Sequence, residues 1–271
     1  MLRFESVHFT YPGGVEALID LSLSIEQGER IALVGENGAG KSTLAKHMNG
    51  LLKPGRGRVL VNGEDTRRKT VAQLAHIVGY VFQNPDEQLF SNTVQDEVAF
   101  GPRNLGFSPQ EVEEMVRSAL EAVGLQAAAS EHPYDLLPAQ RKLLGIASVY
   151  AMDTPVLVLD EPTMGLDLHG TRMVSSLLAD CFSAGKTVIL ISHDLDFCAE
   201  HVERYIIMAD GAVQLDAGID SAFDDPGLLE RAGLEPPQLA RLARALGIQE
   251  TPGTVVDFLA MWEKHRRRRS S

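Results

Sequence analysis

The most informative stretch of this 271-residue chain reads Gly35-Glu36-Asn37-Gly38-Ala39-Gly40-Lys41-Ser42. It matches the pattern G-x-x-x-x-G-K-S/T, in which a glycine-rich turn joins a strand to a helix. The apolar run Ile31–Val34 before it is typical of a strand buried on both faces, and a helical pattern follows over about Lys41–Leu51. Because the glycines let several N–H groups point inward and the helix start is partly positive, the turn suits phosphate oxygens. The stretch therefore predicts a nucleoside triphosphate site.

Two side chains at the end of this loop add charge and a metal ligand. Lys41 provides a mobile point charge for the outer phosphates. The Ser42 hydroxyl is an oxygen ligand of the kind that Mg²⁺ prefers. The predicted phosphate-binding residues are Gly35, Glu36, Asn37, Gly38, Ala39, Gly40, Lys41, Ser42 and Thr43.

Polar residues also follow two later apolar runs. Asp160 and Glu161 come directly after the run Val156–Leu159, and His193 follows the run Thr187–Ile191. Since the carboxyl ends of parallel strands face the ligand crevice, these side chains should meet the bound phosphates. We predict that Asp160 holds Mg²⁺ through water, that Glu161 is the general base for the attacking water, and that His193 contacts the terminal phosphate.

The pattern of apolar residues divides the chain into three parts. Strand and helix patterns alternate up to about residue 215 and predict a parallel sheet covered by helices. A helical stretch at about 91–151 interrupts them, and it includes the capping box Ser108–Glu111. Short helical pieces broken by prolines fill 216–271. The basic end Lys264–Arg269 either touches anionic lipid or is a solvated tail, and we prefer the tail because terminal charge runs usually are solvated.

Composition excludes several classes of protein. The chain has 37 acidic residues and 25 lysine and arginine residues, which give a net charge of −12. This negative charge argues against non-specific nucleic-acid binding. The two cysteines, Cys181 and Cys198, make neither a disulfide framework nor a zinc cluster. The start Met1–Ser6 is not expected to be a signal peptide, and the chain has no run of about 18 apolar residues that would span a membrane.

In this order the motifs resemble those of an ABC-type ATPase subunit over about residues 2–215. The resemblance implies an α/β P-loop NTPase fold with a mixed sheet core, an ATPase domain at 1–215 with the helical subdomain inserted, and a C-terminal domain at 216–271 that serves dimerisation. It implies that Tyr11 stacks on adenine, that Gln83 contacts Mg²⁺, the attacking water and the membrane partner, and that Asp167 in the loop Met164–Asp167 crosses to a second subunit. The implied metal ligands are Ser42, Gln83 and Asp160.

Three stretches are similar to energy-coupling-factor (ECF) transporter ATPases, including the cobalt-transport type CbiO. They are Val81–Phe90, Glu97–Pro102 and Leu228–Leu234 followed by two prolines. That resemblance implies an ATP-hydrolysing subunit, with ATP and Mg²⁺ bound, at the cytoplasmic face of the cell membrane. Its implied partners are a second ATPase subunit, a membrane coupling protein and a substrate-binding membrane protein, and no nucleic acid. The implied cargo is a transition-metal ion, cobalt before nickel, or a vitamin.

The chain departs from the family at the signature segment, which is Leu-Ser-Gly-Gly-Gln in the family and Leu136–Gln140 here. By resemblance, Leu137, Ala139 and Gln140 meet the γ-phosphate held by the opposite subunit. Leu137 lacks the hydroxyl and Pro138 lacks an N–H, whereas Ala139 keeps its N–H and the helix dipole remains. The phosphate contact should therefore be weakened. The altered segment favours an unlike partner and the cobalt-type resemblance favours a homodimer, which we prefer.

Two other functions remain open at this level. The altered signature motivates a regulatory switch that binds ATP with little hydrolysis, although Glu161 and His193 argue against it. A second alternative is a soluble ATPase that acts on DNA or ribosomes. The net charge, the single ATPase unit and the absence of zinc ligands weigh against that alternative.

Overall fold

The computed structural model describes residues 1–269 and arranges the strands in two sheets. The strands are β1 (Leu2–Thr10), β2 (Glu16–Ile25), β3 (Arg30–Val34), β4 (Arg56–Val61), β5 (Glu64–Asp65), β6 (Val78–Val81), β7 (Val156–Asp160), β8 (Thr187–Ile191), β9 (Arg204–Ala209) and β10 (Ala212–Gly218). The α-helices are α1 (Lys41–Met48), α2 (Val71–Ala75), α3 (Val94–Leu105), α4 (Pro109–Ala122), α5 (Pro138–Tyr150), α6 (Leu168–Ser183), α7 (Leu195–His201), α8 (Ile219–Ala222), α9 (Pro226–Arg231), α10 (Gln238–Ala245) and α11 (Val255–Arg269).

The larger sheet has six strands in the order β10-β9-β3-β8-β7-β6. Five of them run parallel, and β10 pairs antiparallel with β9 at one edge, which confirms the predicted mixed core. In the register, Leu33 of β3 pairs with Ile191 of β8, and Ile191 pairs with Asp160 of β7. The carboxyl ends of three neighbouring strands therefore lie at one level, where open parallel sheets bind ligands.

Apolar clusters cover both faces of this sheet. Ile31 and Leu33 belong to one cluster, whereas Ala32 and Val34 belong to the other. The first cluster also contains the alternating positions of β1 and β2, because the smaller antiparallel sheet (β2-β1-β4-β5) packs there. Burial on both faces is the reason that β3, β7 and β8 read as continuous apolar runs.

The sequence signals predicted the bounds of a few helices, and those of α4 agree with the structure. Helix α4 begins at Pro109, and its capping box is complete, because Ser108 and Glu111 each accept a hydrogen bond from the other's main-chain N–H. Helix α1 ends at Met48, earlier than predicted. Gly50 takes a left-handed φ of 75° there, a conformation that stops a helix.

The strands β9 and β10 were not predicted from sequence. They lie between the last helical pattern and the C-terminal helices, and the predicted boundary at residue 215 falls inside β10. Along β10 every side chain is exposed or only half-buried, so its apolar pattern is weak. The strand is defined by its pairing with β9 more than by its own hydrophobic residues.

Helices α3, α4 and α5 lie within the predicted insertion at 91–151, and α8 to α11 follow the last strand. Whether either group forms a separate domain stays a prediction. Among residues 1–269, no helix combines the length and the apolarity needed to cross a membrane. The basic segment continues α11 to Arg269, and Ser270 and Ser271 of the predicted C-terminal domain lie outside the described residues.

Candidate nucleotide-hydrolysis site

The phosphate loop between β3 and α1 needs glycine at two positions. Gly35 and Gly40 have φ angles of 146° and 98°, which side chains rarely tolerate. A Cβ atom at Gly35 would collide with the main-chain oxygen of Met208, and one at Gly40 with that of Ala17. The loop therefore lies against β9 and β2, and this packing fixes the start of α1 at the carboxyl end of the sheet.

Lys41, the first residue of α1, is buried within the loop. Its Nζ donates to the main-chain oxygens of Gly35 and Glu36, each at 2.8 Å. Burial lowers the pKa of Lys41, and the charges of Glu161, Asp160 and Glu36 oppose that shift. The ammonium group is thus held inside the loop, where the charges of three acids act on it, and it provides the positive charge that phosphate oxygens require.

A cleft of about 340 Å³ opens above the loop. It brings together residues from the ends of β1, β3, β6, β7 and β8. Its lining residues are Tyr11, Val15, Ala17, Asn37, Gly38, Gly40, Lys41, Ser42, Thr43, Gln83, Asp160, Glu161, Ile191 and His193. Most of the residues predicted for phosphate, metal and water chemistry therefore share one cavity, whereas Gly35, Glu36 and Ala39 of the predicted phosphate loop do not line it. Val15, Ala17 and Ile191 were not predicted, since apolar residues in or next to a strand carry no signal for a binding site.

Glu161 is buried, 8% exposed, and adopts the left-handed φ of 48°. Its N–H donates to the main-chain oxygen of Ile191 at 2.8 Å, which holds this uncommon conformation at the end of β7. Burial raises the pKa of the Glu161 carboxyl, and the nearby His193 partly opposes the shift. A raised pKa makes a carboxylate a better general base near neutral pH.

Asp160 lies at the floor of the cleft and is 3% exposed. The Tyr80 hydroxyl donates to its Oδ2 at 2.7 Å. Burial, together with the charge of Asp160, raises the pKa of Tyr80, so the phenol stays a donor. Tyr80 was not predicted, yet it lies on β6 opposite Val158, two residues before Asp160 on the same face of the sheet.

The oxygen donors in the cleft fit a magnesium ion. Ser42 offers a hydroxyl, Asp160 a carboxylate with Oδ2 already fixed, and Gln83 an amide oxygen. Among residues 1–269 no cluster of three or more histidine, cysteine or acidic side chains is suited to a metal. A single carboxylate with hydroxyl and amide oxygens suits Mg²⁺, which keeps several waters and usually shares its site with substrate phosphates.

His193 stands at the rim of the cleft beside the predicted base. Its Nε2 lies 3.1 Å from Asn37 Oδ1 and 3.6 Å from Glu161 Oε1, and its main-chain N–H lies 3.4 Å from Glu161 Oε2. The histidine therefore joins the phosphate loop to the base, and its ring is 42% exposed on the open side.

Tyr11 and Gln83 both line this cavity. The Tyr11 hydroxyl lies 3.0 Å from Thr43 Oγ1, and its ring packs edge-on against Phe9. Gln83 is exposed after β6, and its Nε2 lies 3.9 Å from Met164 Sδ. Their placement is compatible with the adenine and water contacts predicted for them, which remain predictions.

The signature segment and Asp167 are absent from the cleft lining. Leu137 is the N-cap of α5 and is 68% exposed, and its N–H donates to Gln140 Oε1 at 3.0 Å. Asp167 caps α6 through a 2.8 Å bond from the Gly170 N–H. These residues, with Ala139, are not brought to this chain's own phosphate loop, so their predicted roles require a second subunit.

A parallel sheet with this loop, paired acids and histidine at its strand ends defines a P-loop nucleotide hydrolase. The family model described as "ABC transporter" matches residues 18–164, more than half of the chain. The chain belongs to the ABC transporter ATP-binding family, and its predicted identity as an ABC-type ATPase is confirmed.

Relatives and solved structures agree with this assignment. The energy-coupling factor transporter ATP-binding protein EcfA of Methanocaldococcus jannaschii is 39% identical over 248 residues, which cover 91% of this chain and 89% of EcfA. Three other curated relatives, all putative ABC transporter ATP-binding proteins, are longer. The match covers 43%, 40% and 45% of their length, so this chain spans less than half of each. The resemblance to ECF-type ATPases is thereby confirmed.

Two solved structures share the fold. The structure of cbiO1 from Clostridium perfringens, described as part of the ABC transporter complex cbiONQ, has a TM-score of 0.72 and 34% identity, covering 91% of this chain and 98% of that one. The ATP-binding cassette MJ0796, a dimer in a post-hydrolysis state with ADP and Pi, has a TM-score of 0.74 and 26% identity, covering 80% of this chain and 98% of that one.

Proposed function

We propose that this chain hydrolyses ATP to power an ECF-type importer, with a transition-metal ion as cargo. The observation that carries the proposal is the single cleft that holds Lys41 and Ser42 beside Asp160 and Glu161. In this cleft the Lys41 ammonium group and the Ser42 hydroxyl, which can interact with phosphates, lie near the buried Glu161 carboxylate, whose pKa is raised. Such a site favours hydrolysis over binding alone, because phosphoryl transfer needs mainly positioning and charge neutralisation.

The reaction follows from these positions. The loop N–H groups and Lys41 bind the phosphate chain, and Tyr11 is the residue that we propose to stack on the base. Glu161 accepts a proton as water forms a bond to the γ-phosphorus, while the bond from that phosphorus to the bridging oxygen of ADP breaks. His193 steadies the terminal phosphate from the rim.

We propose that a magnesium ion binds beside these groups. Ser42, Gln83 and Asp160 would hold it, and when bound it would neutralise charge on the phosphate oxygens. Tyr80 contributes by fixing one oxygen of Asp160. That hydrogen bond leaves Oδ1 of the carboxylate for the metal or for its bound water.

We infer that two such subunits share their sites and dock on membrane partners from the cytoplasmic side. The placement of Leu137, Ala139, Gln140 and Asp167 outside the chain's own cleft supports a shared site, as does the dimeric state of MJ0796. The resemblance to EcfA and cbiO1 supports a coupling protein and a substrate-binding protein as partners. Cobalt is the first candidate cargo by resemblance to the cobalt-transport type, followed by nickel.

The substitution Glu161→Gln tests the hydrolytic step. It keeps the size of the side chain and removes the base, so phosphate release should fall about 100-fold or more while ATP stays bound. The measurements are steady-state phosphate release and retention of labelled ATP on the same preparation. Near-normal release would remove Glu161 from the role of base, and loss of ATP binding would show that the side chain binds nucleotide.

A second candidate function is the vitamin-uptake version of the same module. Its ATPase chemistry is identical, because the membrane partner selects the cargo. The complex would be purified from detergent-solubilised membranes, its companions identified, and uptake of radiolabelled cobalt, nickel and vitamins compared in vesicles. Co-purification with nucleic acid or ribosomes would contradict the transport proposal. Tight ATP binding without phosphate release would favour the regulatory switch.

A further inference from the structure

Behind the cleft lies a buried lysine that none of the sequence motifs includes. Lys142 lies on α5, five residues after the capping residue Leu137, and is 4% exposed. It does not line the nucleotide cleft but a second cavity of about 330 Å³, which also borders Gln83, Pro138 and Met164. Gln83 therefore lies between the two cavities, with the nucleotide cleft on one side and Lys142 on the other.

The Lys142 ammonium group donates to main-chain oxygens at the ends of two strands. Its Nζ lies 2.7 Å from the oxygen of Gln83, 3.3 Å from that of Asp160 and 3.4 Å from that of Phe82. An ammonium group has three hydrogens, so the three acceptors match its capacity. Gln83 and Asp160 are the residues proposed above to hold magnesium together with Ser42.

Burying an ammonium group costs free energy, and that cost is offset only where the charge has partners. Here no carboxylate oxygen lies within ion-pair distance of Nζ among the described residues, so its direct partners are carbonyl dipoles. The charges of Asp160 and Glu161 act on it from further away. The lysine thus holds the main chain without an ion pair to either carboxylate.

We propose that Lys142 is a positioning residue of the hydrolysis site, which holds the main chain of Gln83 and Asp160 in place and ties α5 to the metal-binding edge of the sheet. This inference rests on the proposed function. Since α5 also begins at the segment proposed to approach the partner's nucleotide, the same side chain links a dimer-facing helix to the chain's own site.

Three variants of the full chain test this role. Lys142→Met keeps the length of the side chain and removes every donor, whereas Lys142→Arg keeps charge and donors. Lys53→Met is the matched control, because Lys53 Nζ also donates to two main-chain oxygens, of Thr66 at 2.5 Å and Lys69 at 3.1 Å, outside the cleft. Each variant would be compared with the unaltered chain in kcat and KM for ATP and in thermal unfolding.

We expect Lys142→Met to lower kcat about tenfold or more while KM for ATP changes less than about twofold, because the phosphate loop is untouched. Lys142→Arg should recover part of kcat, and Lys53→Met should leave kcat within about twofold. A kcat within twofold for Lys142→Met, a rise in KM alone, or an equal fall in kcat for Lys53→Met would overturn the inference.

A second readout does not depend on turnover. The Mg²⁺ concentration that half-saturates binding of a fluorescent, non-hydrolysable ATP analogue should rise about tenfold in Lys142→Met and remain unchanged in Lys53→Met. An unaltered chain that binds the analogue without hydrolysing ATP would contradict the proposed function, yet this Mg²⁺ titration would still decide the role of Lys142. An unchanged Mg²⁺ requirement in Lys142→Met would reject it.

Discussion

The phosphate-loop cleft and the signature segment Leu136–Gln140 both belong to ATP chemistry, yet they differ in the groups that they offer. The cleft combines the buried charges of Lys41 and Asp160 with a hydroxyl and a carboxylate of raised pKa. The signature segment offers the exposed Leu137, Pro138 without an N–H, and the Gln140 amide oxygen, which already accepts a hydrogen bond from the Leu137 N–H. What remains there is the positive end of α5.

This difference indicates how binding energy is divided between the two halves of a shared site. Electrostatic interactions are strongest where water is excluded, so the buried charges of the cleft should dominate nucleotide affinity. A helix end that faces solvent contributes a small, salt-screened term. Substitutions in the cleft should therefore have much larger effects than substitutions in the signature segment.

The largest effect expected on ATP affinity is that of Lys41→Ala. It removes a charge-assisted hydrogen-bond donor from the floor of the cleft, and ATP affinity should fall about 100-fold. The measurement is the dissociation constant for labelled ATP with Mg²⁺ present.

The control for Lys41→Ala is Lys46→Ala on the same helix. Lys46 does not line the cleft, and its Nζ lies 5.9 Å from the centre of the Phe82 ring. Its removal should leave affinity within about twofold. Equal losses in the two variants, or full ATP binding by Lys41→Ala, would remove the phosphate loop from its assigned role and cancel the contrast between the two regions.

An intermediate effect is expected for Tyr80→Phe. The change removes the 2.7 Å hydrogen bond to Asp160 Oδ2 while the ring keeps its packing against Phe82. Loss of a group that orients a metal ligand should raise the Mg²⁺ concentration needed for half-maximal hydrolysis about tenfold. Tyr205→Phe is a matched control, since the Tyr205 hydroxyl is buried without a partner in the described chain and lies outside the cleft. An equal shift in the control would show a general effect of tyrosine removal.

The two regions also differ in how much of them could be predicted from sequence. Lys41, Asp160, Glu161 and His193 follow strands with strong apolar patterns, so their meeting at one sheet edge could be inferred from topology alone. Tyr80 and Lys142 could not be predicted in this way. Tyr80 lies in a buried strand and Lys142 in a helix, and nothing in the sequence distinguishes them from structural residues of those elements. The partners of Lys142 are main-chain oxygens distant in sequence, which leave no mark on residue type.

The strands of the fold also differ in how well they could be predicted from sequence. Strands β3, β7 and β8 could be predicted because burial on both faces requires continuous apolar residues. Strand β10 was missed because it lies at a sheet edge and buries little. Strand β9 was missed as well, although Tyr205–Ala209 are buried and apolar throughout, so a buried run alone did not make a strand predictable here.

The smallest expected effect is that of Leu137→Ser in the signature segment. Helix α5 has only half of a capping box, since Gln140 accepts from the Leu137 N–H but leucine has no oxygen to accept from the Gln140 N–H. A serine hydroxyl would complete it, stabilising the helix start by about 1 kcal/mol, and it would restore a hydroxyl toward the partner's phosphate. ATP turnover and nucleotide-dependent dimerisation should rise about two- to fivefold if the subunit pairs with itself. The control is Leu137→Ala, which removes the exposed apolar side chain without adding a donor. An equal rise in turnover and dimerisation in both variants would show that the effect comes from removal of the leucine side chain. No rise in either variant would show that a hydroxyl at this position adds nothing to the contribution of the helix end.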